Sequence, residues 1–283
     1  MSKNKPFTTA NNRGSTNFSA QHLLISKNIV HDLIRHAKIG PGDMVLDIGA
    51  GAGAITLPLA EKAAQVVAIE SDPRFASKLI NKTEKIANIK IRQADFLQSP
   101  LPKSPFSVVA NIPYSITTPI FGKLLDGPGI PLQRAAIIVE KGAAKRFTSH
   151  PITDPRILKW RMWFDLQFVR TVAPSNFSPP PKVDSAILCI NRRKNPTVPL
   201  KYHARFMALA VYGLRSPRLP VSAAFAEVFS PPQITKLART LSIDRNMPVS
   251  QLNEQQWGQL FMAMLQHVLP ARWPRIPKQK RRN

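Results

Sequence analysis

Cysteine is almost missing from this 283-residue chain, in which Cys189 stands alone. A single thiol cannot close an intramolecular disulfide. Its setting, the apolar run SAILCI (185–190), offers neither a partner nucleophile nor metal ligands, so it reads as core packing. Long hydrophobic runs are missing as well. No uninterrupted apolar stretch approaches the roughly 18 residues that a membrane span needs, and the polar opening MSKNKPFTTANNRGST lacks the apolar core of a signal peptide. The expectation is a cytoplasmic protein with no membrane partner. Acidic residues are scarce: 16 Asp and Glu face 40 Lys and Arg, a formal net charge of +24. Such an imbalance predicts a polyanionic partner. Six of those cations (Arg272, Arg275, Lys278, Lys280, Arg281, Arg282) lie in the last 13 residues, so the first 270 retain +18 and the body itself is basic.

What is present supports a real core, since 43% of the residues are hydrophobic and the length suits one enzymatic domain with a smaller appended one. Apolar, β-rich runs recur at 44–49, 66–70, 90–95, 106–111, 135–140, 162–169 and 185–191. The first five are separated by segments able to form helices, such as 73–86 and 119–125, and read as βαβ units of a largely parallel sheet. Between the last two lies only the proline-rich loop 173–184, too short for a crossover helix, which predicts an antiparallel pair at one end of the sheet. The fold class expected is α/β, a seven-stranded mixed sheet followed by a small all-α domain. Residues 1–16 read as a flexible basic arm, 17–194 as the catalytic domain, 198–270 as a helical RNA-binding domain and 271–283 as a disordered basic tail. No internal repeat is visible.

The strand at 44–47 runs directly into Gly49, Gly51 and Gly53 and then into the helix-compatible AITLPLAEK, with Pro58 in the first turn. Glycines there permit positive φ and close approach of backbone to a ligand, and ligands of α/β sheets settle at the carboxyl ends of strands. Three acids stand at successive strand ends: Asp47, then Glu70, placed to accept hydrogen bonds from both hydroxyls of a ribose, then Asp95, placed to bind an adenine amine. A GxGxG turn without the later glycine of GxGxxG suits a nucleoside better than a pyrophosphate. The cofactor expected is S-adenosylmethionine, with a dinucleotide as the other candidate, and no metal.

The strand 106–111 ends in Asn111, Ile112, Pro113 and Tyr114, an amide, two carbonyls and an aromatic ring beside that cofactor. The exocyclic nitrogen of adenine attacks poorly because its lone pair is delocalised into the ring. Acceptors such as the Asn111 side chain and the Ile112 carbonyl would draw it towards a tetrahedral, nucleophilic form. Tyr114 offers a stacking face, worth roughly 1–3 kcal/mol per base, for a nucleotide extruded from its stack. Phe177, on the proline-rich loop, is expected to close over the other face of the base.

At these residues the sequence resembles the ribosomal RNA adenine N6-dimethyltransferases, and within them the Erm branch, which confers resistance to macrolides, lincosamides and streptogramin B. Besides the glycine turn and NIPY, the resemblance rests on Gln21-His22-Leu23-Leu24, similar to the family's Q-(N/H)-F-L cofactor motif, on 140–146, similar to EYGFAKR, and on the WFDLQFVRTV and FSPPPKVDS segments; it covers most of 17–192. It implies a Rossmann-like catalytic domain with cofactor contacts at Gln21, His22, Leu24, Gly49, Gly51, Glu70, Asp95 and Asn111. Base handling falls on Asn111, Ile112, Pro113, Tyr114 and Phe177, and RNA contact on Lys145 and Arg146. The implied reaction adds one or two methyl groups to N6 of a single adenine in the peptidyl-transferase region of 23S rRNA, met before ribosome assembly is complete, by a monomer. The sequence departs from the pattern at Leu23, where phenylalanine is usual, and at Lys141 and Ala143, which replace the Tyr and Phe of EYGFAKR. Two other readings remain: the housekeeping branch with NLPY, which dimethylates paired adenines of small-subunit rRNA, and a non-catalytic RNA-binding or transcription factor on the same fold.

Overall fold

A computed structural model of the protein describes residues 22–127 and 129–276. The expectations for the arm 1–16, for Gln21 and for 277–283 lie outside the described residues. The strands are β1 (Leu23–Leu24), β2 (Met44–Ile48), β3 (Gln65–Glu70), β4 (Ile89–Gln93), β5 (Phe106–Asn111), β6 (Leu132–Glu140), β7 (Phe164–Val172), β8 (Phe177–Ser178) and β9 (Ser185–Arg192). Seven of them form one sheet in the order β4-β3-β2-β5-β6-β9-β7, while β1 and β8 make a separate two-stranded ribbon. The run from β4 to β6 is parallel, and β9 lies antiparallel to both β6 and β7. This is the expected mixed, Rossmann-like sheet with its antiparallel pair at one end. The inner parallel strands read as continuous apolar runs because both faces are covered. From β2 the order runs outwards through β3 and β4, then returns to β5 on the other side, so a crevice opens where the carboxyl ends of β2 and β5 diverge.

Helices α1 (Lys27–Ala37), α2 (Thr56–Ala60), α3 (Pro73–Thr83), α4 (Thr117–Leu125), α5 (Lys141–Thr148) and α6 (Pro155–Trp163) belong to this half. α3 and α6 begin alike: Asp72 and Asp154 accept from the amides of Arg74 and Arg156 at 2.8 Å, each followed by proline at the first helical position, where a missing N–H costs nothing. Two sequence expectations give way. The crossover 94–105 contains no helix, because Pro100, Pro102 and Pro105 interrupt any helical ladder there. Met162 and Trp163 end α6 instead of opening β7, which starts at Phe164.

After the irregular segment 193–199 come α7 (His203–Gly213), α8 (Val221–Ala224), α9 (Pro231–Thr240) and α10 (Glu254–His267). In α10 a capping box joins Asn253 and Gln256, each side chain accepting from the other's amide. The helical half has no core of its own. One buried cluster runs from Leu46, Val108 and Ile137 of the sheet through Trp160 and Trp163 of α6 to Phe206, Trp257 and Phe261. Trp163 meets Phe206 edge-on at 5.5 Å between ring centres, and Phe206 meets Phe261 at 5.6 Å. α6 is the shared wall: Ile157, Leu158, Trp160, Met162 and Trp163 are buried, while its cations are paired, Arg156 and Lys159 with Asp126 and Arg161 with Glu254. The tail is a further correction. Residues 270–276 are built onto the helical half, where Arg272 donates to the Glu227 carbonyl at 2.9 Å and the Trp273 indole to the Val268 carbonyl at 2.9 Å.

A continuous core predicts a single unfolding event. Phe206→Ala should cost about 3–5 kcal/mol, and its urea transition should coincide by tryptophan fluorescence and far-ultraviolet circular dichroism. Two separated transitions in the wild type would contradict the shared core.

Candidate active site

The glycine turn leaves β2 with Gly49, Gly51 and Gly53 at φ of 72°, 53° and 90°, in the left-handed region that other residues avoid. Space is as strict as conformation. A Cβ on Gly53 would stand 2.5 Å from the Leu79 side chain, and one on Gly51 3.1 Å from that of Leu23. The turn is tied to the next strand through Glu70, which is 1% exposed. Its carboxylate accepts from the Gly51 amide at 2.8 Å on one oxygen and from the Asp72 amide at 2.8 Å on the other. Each oxygen keeps a second lone pair for a ligand hydroxyl.

Asp47 lies fully buried beneath the turn. One oxygen accepts from the Thr56 hydroxyl at 2.7 Å, and the other, Oδ1, has no partner among the described residues. Burial pushes its pKa up to about 7; the Thr56 bond opposes the shift and the nearby Glu70 charge adds to it. A buried carboxyl oxygen without a donor is costly unless something bound supplies one.

At the neighbouring strand end, Asn111 donates through Nδ2 to the His22 carbonyl at 2.8 Å. That bond sets the orientation of the amide and leaves Oδ1 as a free acceptor. His22 is itself anchored, its Nδ1 lying 2.9 Å from the Pro179 carbonyl, and the adjoining ribbon pairs Leu23 with Ser178 and Leu24 with Phe177. Tyr114 is held by a hydrogen bond between its hydroxyl and Ser185, which is wholly buried. Burial raises the phenol's pKa, with Ser185 opposing and Glu140 reinforcing, so the ring stays neutral. The Pro113 carbonyl accepts from the Ile116 amide at 3.3 Å, whereas among the described residues nothing donates to that of Ile112. One cleft of about 410 Å³, counting its open mouth, is lined by His22, Leu23, Gly49, Gly51, Glu70 and all four residues of 111–114.

Several expected residues stand apart from this lining. Asp95 is exposed and spends one oxygen on the Leu97 amide at 2.8 Å. Leu24 faces the core against α1. Phe177 is not free to close over a base: it is 2% exposed and packed in the same cluster as Leu24, Val172 and Ile187. The pairing of β8 with β1 turns its ring inwards. Lys145 and Arg146 are exposed on α5, which leaves the carboxyl end of β6 beside NIPY; Arg146 also donates to the Thr118 hydroxyl at 2.8 Å. Sequence reasoning missed Ser185, Thr56 and Asp72. Asp72 alone carried a signal, the Asp-Pro start of a helix.

A family model described as Ribosomal RNA adenine dimethylase matches residues 11–266. The chain belongs to this family. At that level it is an rRNA adenine N6-methyltransferase, and the cleft with its NIPY wall is the candidate active site. The rRNA adenine N-6-methyltransferase of Bacillus licheniformis is 44% identical over 270 residues, 95% of this chain and 94% of that protein. The ribosomal RNA small subunit methyltransferase A of Thermosynechococcus vestitus is 32% identical over 246 residues, 84% of this chain and 92% of that one. Among solved structures, the 23S rRNA methyltransferase ErmE superposes with a TM-score of 0.77 at 27% identity, covering 86% of this chain and 99% of that chain.

The raised Asp47 pKa has a consequence for the unliganded enzyme. Above pH 3.8 the unfolded chain releases a proton that the folded state keeps until about pH 7. The stability this site contributes at acid pH is therefore lost as pH rises through about 7. Urea unfolding at pH 5 and pH 8 should show a smaller difference in Asp47→Asn than in the wild type; equal differences would contradict a neutral buried carboxyl.

Proposed function

We propose that this family member transfers a methyl group from S-adenosylmethionine to N6 of a single adenine in the peptidyl-transferase region of 23S rRNA, once or twice. It would thereby confer macrolide, lincosamide and streptogramin B resistance. The observation that carries the chemical reading is the Asn111–His22 bond: it presents an amide oxygen, not an amide N–H, in a cleft shared with the glycine turn and Tyr114.

The residues present fit the cofactor. Glu70 offers two fixed carboxylate oxygens for ribose hydroxyls, and the glycine backbone admits close approach. S-adenosylmethionine bound there would supply an electrophilic methyl on a sulfonium. Asn111 Oδ1 and the Ile112 carbonyl accept the two N6 hydrogens, which draws lone-pair density out of the purine ring and onto the attacking nitrogen. Tyr114, pinned by Ser185, supplies the stacking face. Phe177 supports the ribbon from below in this reading and takes no part in stacking. Catalysis is mainly positioning, and the N6 proton leaves to water. Lys145 and Arg146 meet the RNA backbone beside the cleft, a positioning contact without sequence information.

The choice of 23S rRNA draws support from the Erm-like NIPY and FDLQFVRTV segments and from the likeness to ErmE. Similarity to a small-subunit enzyme favours the second reading. Primer extension over both naked rRNAs after incubation with enzyme and cofactor separates them: the expected stop is at one 23S adenine, and a stop confined to small-subunit RNA overturns the substrate assignment. Asn111→Ala should lower the transfer rate about 100- to 1,000-fold, the scale of losing one preorganised hydrogen-bonding group. RNA affinity should stay within about twofold, because cations supply most of it. Equal loss of both would refute the division of labour.

A further inference from the structure

The basic tail begins as part of a wall. Beyond α10 the chain turns back at Pro270–Arg272, and Arg272 grips the carbonyls of Ala226 and Glu227 at 3.3 and 2.9 Å. Arg205 of α7 donates to the Pro274 carbonyl at 3.3 Å and lays its guanidinium 5.2 Å from the centre of the Trp273 ring. Between this segment and the end of α7 runs a groove of about 460 Å³ whose lining includes Tyr212, Arg215, Glu227, Arg272, Trp273 and Arg275. The Arg215 guanidinium lies 4.6 Å from the Tyr212 ring centre. Glu227, the only carboxylate of the lining, accepts from the Tyr212 hydroxyl at 2.9 Å.

These arginines contrast with five others on the surface. Arg35, Arg74, Arg156, Arg170 and Arg193 each lie against an aspartate. Among the described residues, Arg205, Arg215, Arg272 and Arg275 form no ion pair. Arg215 is braced on an aromatic ring, Arg272 by backbone carbonyls and Arg205 by both, so the charge of these three is oriented but not neutralised. A guanidinium braced on a ring can stack under a flat base and bind phosphate through its edge. A cationic groove with aromatic interleaving fits a single strand of nucleic acid.

We propose that this groove is a second RNA site, which holds a single-stranded stretch of the substrate rRNA by its phosphates and a base stacked on Arg215. The inference rests on the reading above only for which rRNA is held. The test compares the full-length wild type with Arg215→Gln/Arg275→Gln and with a control, Lys85→Gln/Lys90→Gln, which removes equal charge from exposed positions elsewhere. Binding of naked 23S and 16S rRNA is titrated between about 50 and 300 mM salt. Losing two phosphate contacts should reduce the slope of log affinity against log salt by about 1.4 and weaken binding on the order of tenfold at 0.1 M, while the control changes affinity less than about twofold. An unchanged slope, or an equal loss in the control, overturns the groove. If the double variant melts below the wild type, Arg215→Gln alone decides, since that side chain donates no hydrogen bond among the described residues; the slope should then fall by about 0.7. If wild-type mapping places the methyl in small-subunit RNA, the substrate assignment fails by itself, and the same comparison is scored on 16S rRNA.

Discussion

The hydrogen bond from Asn111 to the His22 carbonyl joins residues 89 positions apart and determines which atom of the amide faces the cleft. Without it the side chain could present its N–H₂, a donor in place of an acceptor. Much of the surrounding architecture serves that bond. His22 must be held, and it is held from two sides: its ring against the Pro179 carbonyl, and its chain by the β1–β8 ribbon that follows. The proline-rich loop, which on the sequence offered Phe177 as a second stacking ring, is structurally the anchor of the amide. Burial of Phe177 under the ribbon is part of that anchoring.

Of the 16 acidic residues, the three that are buried all stand where geometry has to be rigid. Asp47, Glu70 and Asp72 are buried around the glycine turn, Glu70 bracing the turn and Asp72 starting α3. Such positions tolerate a carboxylate only when backbone amides or hydroxyls compensate the lost water, and Asp47, half compensated, keeps its proton to about pH 7. Most of the cations have no acid to meet. A net charge of +24 is thus a division of labour: acids shape the pocket, and bases are left for a polyanion.

The shared core links the two halves mechanically. α6 packs the sheet on one side and α7 and α10 on the other. An RNA strand lying on the helical half would engage an element with no independent packing of its own. The segment 193–199 is covered by this continuity: the Val198 carbonyl accepts from the Trp163 indole at 2.9 Å.

By itself the sequence determined what local chemistry dictates: the buried parallel strands as apolar runs, the glycine turn at the end of β2, the antiparallel closing pair, an amide and an aromatic ring at the end of β5, and the polyanionic partner. Each is encoded within a dozen residues or in the bulk charge. The helix-free crossover before β5 was also written there, in three prolines, but the βαβ pattern outweighed them. Only the tertiary structure decided the pairings made across long separations. These include the amide's orientation by His22, the Tyr114 hydroxyl on Ser185 71 residues away, the inward turn of Phe177, the merging of two apparent cores at α6, and the docking of the tail's first residues. Such contacts depend on which strand ends and loops meet at one edge of the sheet. No local periodicity carries that information.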